Sequence, residues 1–337
     1  MEFAARITGV GSAFPKKRLT NDDITLKLGE LGIETSDQWI IERTGIRERR
    51  MSDTNNPDER NSSLGAKAAK EAMEMAKKTP EDIDQIIYAT CSPDTLLPST
   101  ACHLQNKIGA KQAWAMDINA ACSGFVYGLA VAEKFIFAGD TKTALVIGAE
   151  LMTPLINWED RSSCILFGDG AGAVIVEAVP KDSNRRILYS HLLSNGKYWD
   201  LIHIPAGGTN LEITPQRYKK KLHKIELSGR ETFKIAVRTL TELAIKAVRE
   251  NNMTIEDLDW FVPHQANIRI IKAVASRLKL PMEKVLVNID RYGNTSTATV
   301  PTALRGGVVD GRIKEGDTIL LDVFGGGLTF GAMLLRW

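Results

Sequence analysis

A chain of 337 residues with 44% hydrophobic and 25% charged residues has the composition of an ordinary folded protein, long enough for two domains or one large duplicated one. Its formal net charge of +2 offers no support for nucleic acid or a membrane surface as partner, and no stretch reads as a bilayer span. Four cysteines, none spaced as CxxC, exclude a dense disulfide framework and a CxxC metal pair, which fits a reduced cytosol.

Met1 to Val10 lacks a basic region followed by an apolar core, so it reads as a first strand rather than a signal peptide. Leu64 to Lys77 carries Ala and Met at helical spacing. Thr79-Pro-Glu-Asp-Ile-Asp-Gln-Ile-Ile-Tyr88 then leads from an acidic turn into a short apolar strand. From Ser123 to Gly139 only Glu133 and Lys134 interrupt an apolar run, and a helix apolar on nearly all faces belongs in an interior. Cys122 opens this helix, where unpaired N–H groups and the positive end of the dipole favour the nucleophilic thiolate. Inert packing is the alternative, because cysteine is among the most buried residue types.

Gly139-Asp-Thr141 precedes the strand Ala144 to Ile147. Phe167-Gly-Asp-Gly-Ala-Gly172 is glycine-rich but lacks the Lys-Ser/Thr of a phosphate loop, so it reads as a structural turn before the strand Ala173 to Val179. The polar turn Pro180 to Asn184 divides the chain into residues 1–180 and 181–337. Asn195 to Lys224 reads as a surface insertion; its basic run Arg217 to Lys224 is a solvated face or a contact for an acidic partner. A helix over Phe233 to Asn251 leads into Thr254-Ile-Glu-Asp-Leu-Asp-Trp-Phe-Val-Pro263, which echoes the segment ending at Tyr88. Gly316-Asp-Thr318 before Ile319 to Val323 repeats the second pattern. Two matches in the same order point to duplicated α/β halves, with chance likeness of common helix–turn–strand units as the alternative.

His264 follows a buried strand, at the carboxyl end where open α/β folds bind ligands, and a helix is expected from about Gln265 to Leu278. By context alone it is equally a hydrogen-bonded helix-start residue. Asn294, in the small-residue loop Asp290 to Pro301, is by itself a turn or N-cap residue. Under the repeat its loop corresponds to the Cys122 turn, and two such turns facing each other would gather Cys122, His264 and Asn294. Phe324-Gly-Gly-Gly-Leu-Thr-Phe-Gly331 lets a backbone approach a ligand closely, or simply makes a tight turn.

Together these stretches resemble the β-ketoacyl-(acyl-carrier-protein) synthase III family, initiating condensing enzymes of the thiolase-like superfamily, from Ile7-Thr-Gly-Val-Gly11 to Leu335-Arg336. Asn119-Ala-Ala-Cys-Ser-Gly124, Pro263-His-Gln-Ala-Asn267, Gly293-Asn-Thr-Ser296 and Gly325 to Gly331 carry the resemblance. It implies an α/β fold: a thiolase-like, duplicated αβαβα layered sandwich with two mixed, mostly parallel sheets, assembled as a homodimer. It also implies a catalytic triad of Cys122, His264 and Asn294, an oxyanion hole from the Cys122 and Gly326 amides, and Phe324 shielding the decarboxylation site. Trp39 and Arg43, within Thr35 to Arg47, together with Arg161 and Asn267, would hold coenzyme A. Leu97 would floor the acyl pocket across the dimer. Lys234, Arg269 and Arg277 would dock an acidic acyl carrier protein, with Ser276 standing where some relatives carry another base.

The implied substrates are an acyl-CoA and malonyl-carrier protein, with no metal or redox cofactor, in the cytoplasm. Some acetyl-specific members have Phe where Leu97 stands, so longer or branched primers are expected unless Leu96 fills the space. Rival readings are a condensing enzyme of specialised metabolism, a cysteine thioesterase and a non-catalytic scaffold. A biosynthetic thiolase is disfavoured, because the glycine-rich end lacks a second cysteine.

Overall fold

The computed structural model describes residues 2–337; Met1, which the sequence places in the first strand, lies outside the described residues. The chain runs through β1 (Phe3–Ala13), β2 (Lys17–Thr20), α1 (Asn21–Gly29), α2 (Asp37–Thr44), β3 (Glu48–Met51) and α3 (Asn61–Ala76). Next come β4 (Gln85–Ala89), α4 (Thr100–Ile108), β5 (Trp114–Ile118), α5 (Gly124–Ala138), β6 (Thr143–Glu150), α6 (Arg161–Cys164) and β7 (Gly170–Pro180). After these follow β8 (Ile187–Ser194), β9 (Ile202–His203), α7 (Pro215–Lys219), β10 (Glu226–Leu227), α8 (Gly229–Arg249) and β11 (Trp260–Pro263). The last elements are α9 (Ile268–Arg277), α10 (Ile289–Tyr292), α11 (Thr299–Val309), β12 (Thr318–Gly325) and β13 (Thr329–Arg336).

Two main sheets have the orders β1-β7-β6-β4-β5 and β11-β12-β13-β8. Strand side chains alternate between faces, and here each face meets apolar residues. On β6, Ala144 and Val146 join Val126, Leu129 and Leu304, whereas Leu145 and Ile147 face Leu64, Ala68 and Leu104. On β12, Ile319, Leu321 and Val323 enter the same central core, while Leu320 and Phe324 face Leu240, Ala244 and Ile271. Helices α3 and α4 therefore cover one outside face, α5 and α11 fill the middle, and α8 and α9 cover the other. This is the expected αβαβα sandwich.

Both sheets are mixed, but "mostly parallel" needs correction. Strand β4 pairs in parallel with β5 and β6, and β11 with β12. The pairs β1–β7, β6–β7, β12–β13 and β8–β13 are antiparallel. A parallel neighbour requires a long crossover. The short return from Gly325 to Thr329 makes a hairpin instead, and β6 reaches β7 through a segment whose one α-helix, α6, has 4 residues. A second correction concerns apolar length. The 18 residues Ala121–Ala138 are long and apolar enough to cross a bilayer, contrary to the expectation that no stretch approaches this; here they supply the core helix between the sheets.

The internal echo reappears bond for bond. Thr79 N and Oγ1 donate to Asp82 Oδ2 at 2.7 and 2.9 Å, and Thr254 N and Oγ1 donate to Asp257 Oδ2 at the same 2.7 and 2.9 Å. Asp84 Oδ2 then accepts from Thr143 N at 2.9 Å, and Asp259 Oδ2 from Thr318 N at 2.8 Å. Each Asp thus clips the start of one strand of a parallel pair to the start of its neighbour.

Contact across the central layer leaves no room for side chains at one point. A Cβ on Gly148 of β6 would lie 2.5 Å from the carbonyl oxygen of Thr297, in the loop before α11. Gly148→Ala is therefore expected to destabilise the protein by roughly 1–3 kcal/mol, as overpacking does. Thermal unfolding checks this, and an unchanged midpoint would mean the loop can retreat at no cost.

Candidate active site

Cys122 sits on the turn between β5 and α5. The helix begins at Gly124 with Ser123 at its N-cap, so Cys122 precedes the helix instead of occupying its first turn. Ala121 adopts φ 45°, a left-handed conformation costly for a residue with a Cβ, and this bend sets the direction of Cys122. The C-terminal hairpin holds the turn from the other side. Thr329 Oγ1 donates to Ala120 O at 2.8 Å, and Ser123 Oγ donates to Thr329 O at 3.1 Å. A Cβ on Gly325 would meet Cys122 N at 2.7 Å and Ser123 N at 3.0 Å, so glycine is required for this approach.

The expected bias toward thiolate is reversed. Burial pushes the Cys122 thiol up to about 11; Ser296 and the residue's own amide act in the lowering direction, and Glu150 in the raising one. The physical reason is position: the sulfur lies before the helix, in a largely apolar cavity, where desolvation outweighs the helix terminus.

His264 follows the last residue of β11 and is only 2% exposed. Its amide donates to Asp322 O at 2.9 Å, which extends the parallel pairing of β11 and β12. The ring Nδ1 lies 2.7 Å from Thr299 Oγ1, and the ring packs at a steep angle to Phe324, with centroids 5.3 Å apart. Burial lowers its pKa to about 3, so the imidazole is neutral at physiological pH. The helix expected from about Gln265 begins only at Ile268, which leaves His264 on a loop.

Asn294 is fixed at both backbone and side chain. Its N–H donates to Leu166 O at 2.8 Å, and its carbonyl accepts from Gly168 N at 3.1 Å. Its Oδ1 accepts from Ser296 N at 2.9 Å, which leaves the Nδ2 amide for the cavity. The Gly-Asp-Gly segment is thus the structural turn expected, and it also clamps Asn294. Asp169 within it accepts from Ser52 N at 2.8 Å and from Thr153 Oγ1 at 2.6 Å.

One cavity of about 390 Å³ is lined by Cys122, His264, Asn294, Phe324 and Gly326, so the residues picked from distant motifs meet. Asn267 also lines it. Its Oδ1 caps α9 by accepting from Arg269 N at 2.8 Å, and its Nδ2 donates to Arg43 O at 3.0 Å. Trp39, Arg43 and Arg161 form a cluster of their own, outside the cavity lining. The two guanidinium carbons stand 4.5 and 4.4 Å from the Trp39 ring centroid. Lys234, Arg269 and Arg277 are exposed on the adjacent helices α8 and α9, and Arg269 lies 5.9 Å from the ring of Phe233, a cavity residue. Leu97 is 87% exposed and does not line the cavity of its own chain.

Two features escaped the sequence. Ile202, His203 and Ile204 line the cavity, although they belong to the segment read as a surface insertion. Strand β9 pairs with β10 and lies against the hairpin, with Ile202 O 2.9 Å from where a Gly326 Cβ would be. Glu150 is the other. Fully buried at the end of β6, it accepts from Thr90 Oγ1 at 3.1 Å, Cys91 N at 3.1 Å, Ser296 Oγ at 3.0 Å and Thr297 Oγ1 at 3.2 Å. A lone carboxylate closing an otherwise apolar strand was the available signal.

Comparison with known proteins matches residues 116–196 to the family described as 3-Oxoacyl-[acyl-carrier-protein (ACP)] synthase III and residues 248–337 to its C-terminal counterpart. The chain is 47% identical over 337 residues to a β-ketoacyl-(acyl-carrier-protein) synthase III of Clostridioides difficile, covering 100% of this chain and 99% of the relative. It is 44% identical to that of Methylococcus capsulatus, with 99% of each covered. The crystal structure of the Aquifex aeolicus synthase III superposes with a TM-score of 0.88 at 43% identity, over 99% of this chain and 100% of that one. The priming β-ketosynthase of the R1128 polyketide pathway gives 0.89 at 31%, over 99% and 97%.

With the Cys122 thiol held up near 11, alkylation by iodoacetamide is expected to rise about tenfold per pH unit from neutrality toward that value. A rate that levels off below pH ~8.5, the ordinary thiol value, would show that the turn stabilises the thiolate after all.

Proposed function

The chain belongs to the β-ketoacyl-(acyl-carrier-protein) synthase III family, and from that premise we propose how its own residues do the work. Membership makes it an acyltransferase that carries out the initiating condensation of fatty acid synthesis. The carrying observation for the residue roles is the single cavity on which Cys122, His264, Asn294 and Gly326 converge.

Cys122 attacks the thioester carbonyl of an acyl-CoA, the thiol proton passes to the departing coenzyme A sulfur, and an acyl-cysteine remains. The amides of Cys122 and Gly326 receive the oxyanion in that step. Malonyl-carrier protein then loses carbon dioxide, and the enolate oxygen is held by His264 Nε2–H and the Asn294 amide. Because burial keeps His264 neutral, it serves as a hydrogen-bond donor and not as a cation. The enolate carbon attacks the acyl-cysteine carbonyl, expels the Cys122 sulfur, which takes a proton from water to return to the thiol, and leaves a β-ketoacyl thioester. Phe324, packed against the His264 ring, keeps water from the decarboxylation site.

In this reading the adenine end of coenzyme A lies at Trp39, Arg43 and Arg161, and Asn267 links that cluster to the cavity through the Arg43 carbonyl. Residues 1–180 and 181–337 act as two halves, since β7 ends at Pro180 and β8 starts at Ile187. Leu96 and Leu97, 94% and 87% exposed, form an apolar tip that a second copy would cover, which supports a homodimer in which Leu97 floors the partner's acyl pocket. Leu at this position leaves room for a primer longer than acetyl, or branched. The carrier protein docks on Lys234, Arg269 and Arg277 beside Phe233, and both substrates belong to the cytoplasm. The likeness to the R1128 priming ketosynthase sustains a second reading, in which the same cavity primes a specialised pathway with longer acyl units.

Intact-mass spectrometry after exposure to a panel of acyl-CoAs is expected to show one acyl group, lost in Cys122→Ala, with chains longer than acetyl accepted. In Asn294→Ala acylation persists, while condensation falls about a hundredfold for one lost oxyanion donor. Loss of acylation along with condensation would remove Asn294 from the enolate role. Arg269→Glu should raise the KM for the carrier protein and reduce its salt dependence without changing acylation; unchanged kinetics would sink the patch.

A further inference from the structure

We propose that Thr299 is a positioning residue for His264: its hydroxyl donates to Nδ1 and so keeps the ring's single proton on Nε2, the nitrogen open to the cavity. The inference rests on the enolate-holding role given to His264 above and explains how a buried imidazole is kept in the form that role requires.

A neutral imidazole has one donor and one acceptor nitrogen, and the partner of one decides the state of the other. Thr299 Oγ1 is 2.7 Å from His264 Nδ1 and 2.9 Å from the carbonyl oxygen of Ser296. Its single proton can serve only one of them. Were it given to Ser296, Nδ1 would have to carry the ring proton, and Nε2 would turn a bare lone pair toward the substrate oxygen. Two observations favour the other arrangement. The Ser296 carbonyl already accepts the amide N–H of Thr299, so it is satisfied without the hydroxyl. The distance to Nδ1 is also the shorter of the two.

Thr299 is well built for this task. It is the first residue of α11, it is 1% exposed, and its carbonyl accepts from Thr302 Oγ1 at 3.0 Å. A Thr in a helix divides between two χ1 rotamers, and the one adopted here brings Oγ1 within reach of both His264 Nδ1 and the Ser296 carbonyl. The same loop carries Ser296, whose amide orients the Asn294 carboxamide. One short segment therefore sets both donors toward the same oxygen.

The test compares Thr299→Val, which keeps the shape and removes the hydroxyl, with Thr299→Ser, which keeps the hydroxyl. Three readouts are taken: 15N shifts of the His264 ring, condensation with malonyl-carrier protein, and acylation of Cys122 by acyl-CoA. In the unmodified chain the shifts should show Nε2 protonated. Thr299→Val should lose condensation by about tenfold or more, the worth of one hydrogen bond in the transition state, while acylation stays near its original rate. Thr299→Ser should recover most of the loss. A proton on Nδ1 in the unmodified chain overturns the proposal, as does full condensation by Thr299→Val or an equal loss in both half-reactions. If Thr299→Val does not fold, the ring shifts of the unmodified chain decide alone. Full condensation by His264→Ala would instead sink the role of His264 itself.

Discussion

The structure depends on a seam where backbone meets backbone with no side chain between. Gly148 of β6 takes the Thr297 carbonyl at a distance no Cβ would allow, and Gly325 does the same for the Cys122 amide. The first contact brings the Asn294 loop against the sheet that carries the Cys122 turn. The second brings the Gly326 amide beside that turn. Interiors are close-packed and stiff, so three such loops pressed together have little freedom to drift. Glu150 completes the seam from below, since its carboxylate takes hydrogen bonds from Thr90 and Cys91 on one side and from Ser296 and Thr297 on the other. Its removal would leave the Cys91 amide and the Ser296 hydroxyl without this partner, so it is part of the scaffold that joins the β4 end to the Asn294 loop.

Burial has opposite effects on the two titratable groups of the site and leaves both neutral. It raises the acid, Cys122, to about 11 and lowers the base, His264, to about 3. A resting ion pair of thiolate and imidazolium, the arrangement that makes some cysteine enzymes permanently nucleophilic, is therefore absent from this cavity. Under the proposed mechanism the negative charge at the donors comes with substrate, first on the thioester oxygen and then on the enolate, where fixed N–H groups would meet it. Such donors need no reorganisation at the moment of reaction, and the low polarity around them strengthens each bond. Depressing the basicity of His264 thus helps a group whose task is to donate a hydrogen bond.

Much of this was legible in the sequence. The paired Thr-x-x-Asp turns were visible because a capping box needs fixed residue types at fixed spacing, and the structure repeats their bonds at Thr79 and Thr254. The apolar run after Cys122 announced a buried helix, although by length and composition alone a bilayer would accommodate the same surface. Three things were not legible, each for a physical reason. The antiparallel pairs follow from connection geometry, which a run of apolar residues does not encode. The state of Cys122 turned on the burial of its sulfur, which pushes the thiol up and which a place beside a helix start does not reveal in sequence. The cavity wall from Ile202 to Ile204 lies in a short apolar stretch between Gly196 and Gly207, too short to read as an element by itself, and its pairing with β10 places it at the cavity.

The two ends of the cavity differ in kind, and that difference orders the substrates. At the inner end stand neutral donors in an apolar setting. Outside stand Trp39 with two guanidinium groups against its ring, and the exposed bases of α8 and α9. A ligand with a charged, aromatic head and a thin neutral arm can therefore be held by its head while only the thioester enters. Asn267 stands at the boundary, with one end of its carboxamide capping α9 and the other gripping the Arg43 carbonyl. Helix α9, which presents Arg269 to the solvent, is thereby tied to α2, which presents Trp39. The Trp39 cluster and the basic helices are thus tied together around one opening, which under the proposed function the two thioester carriers share in turn.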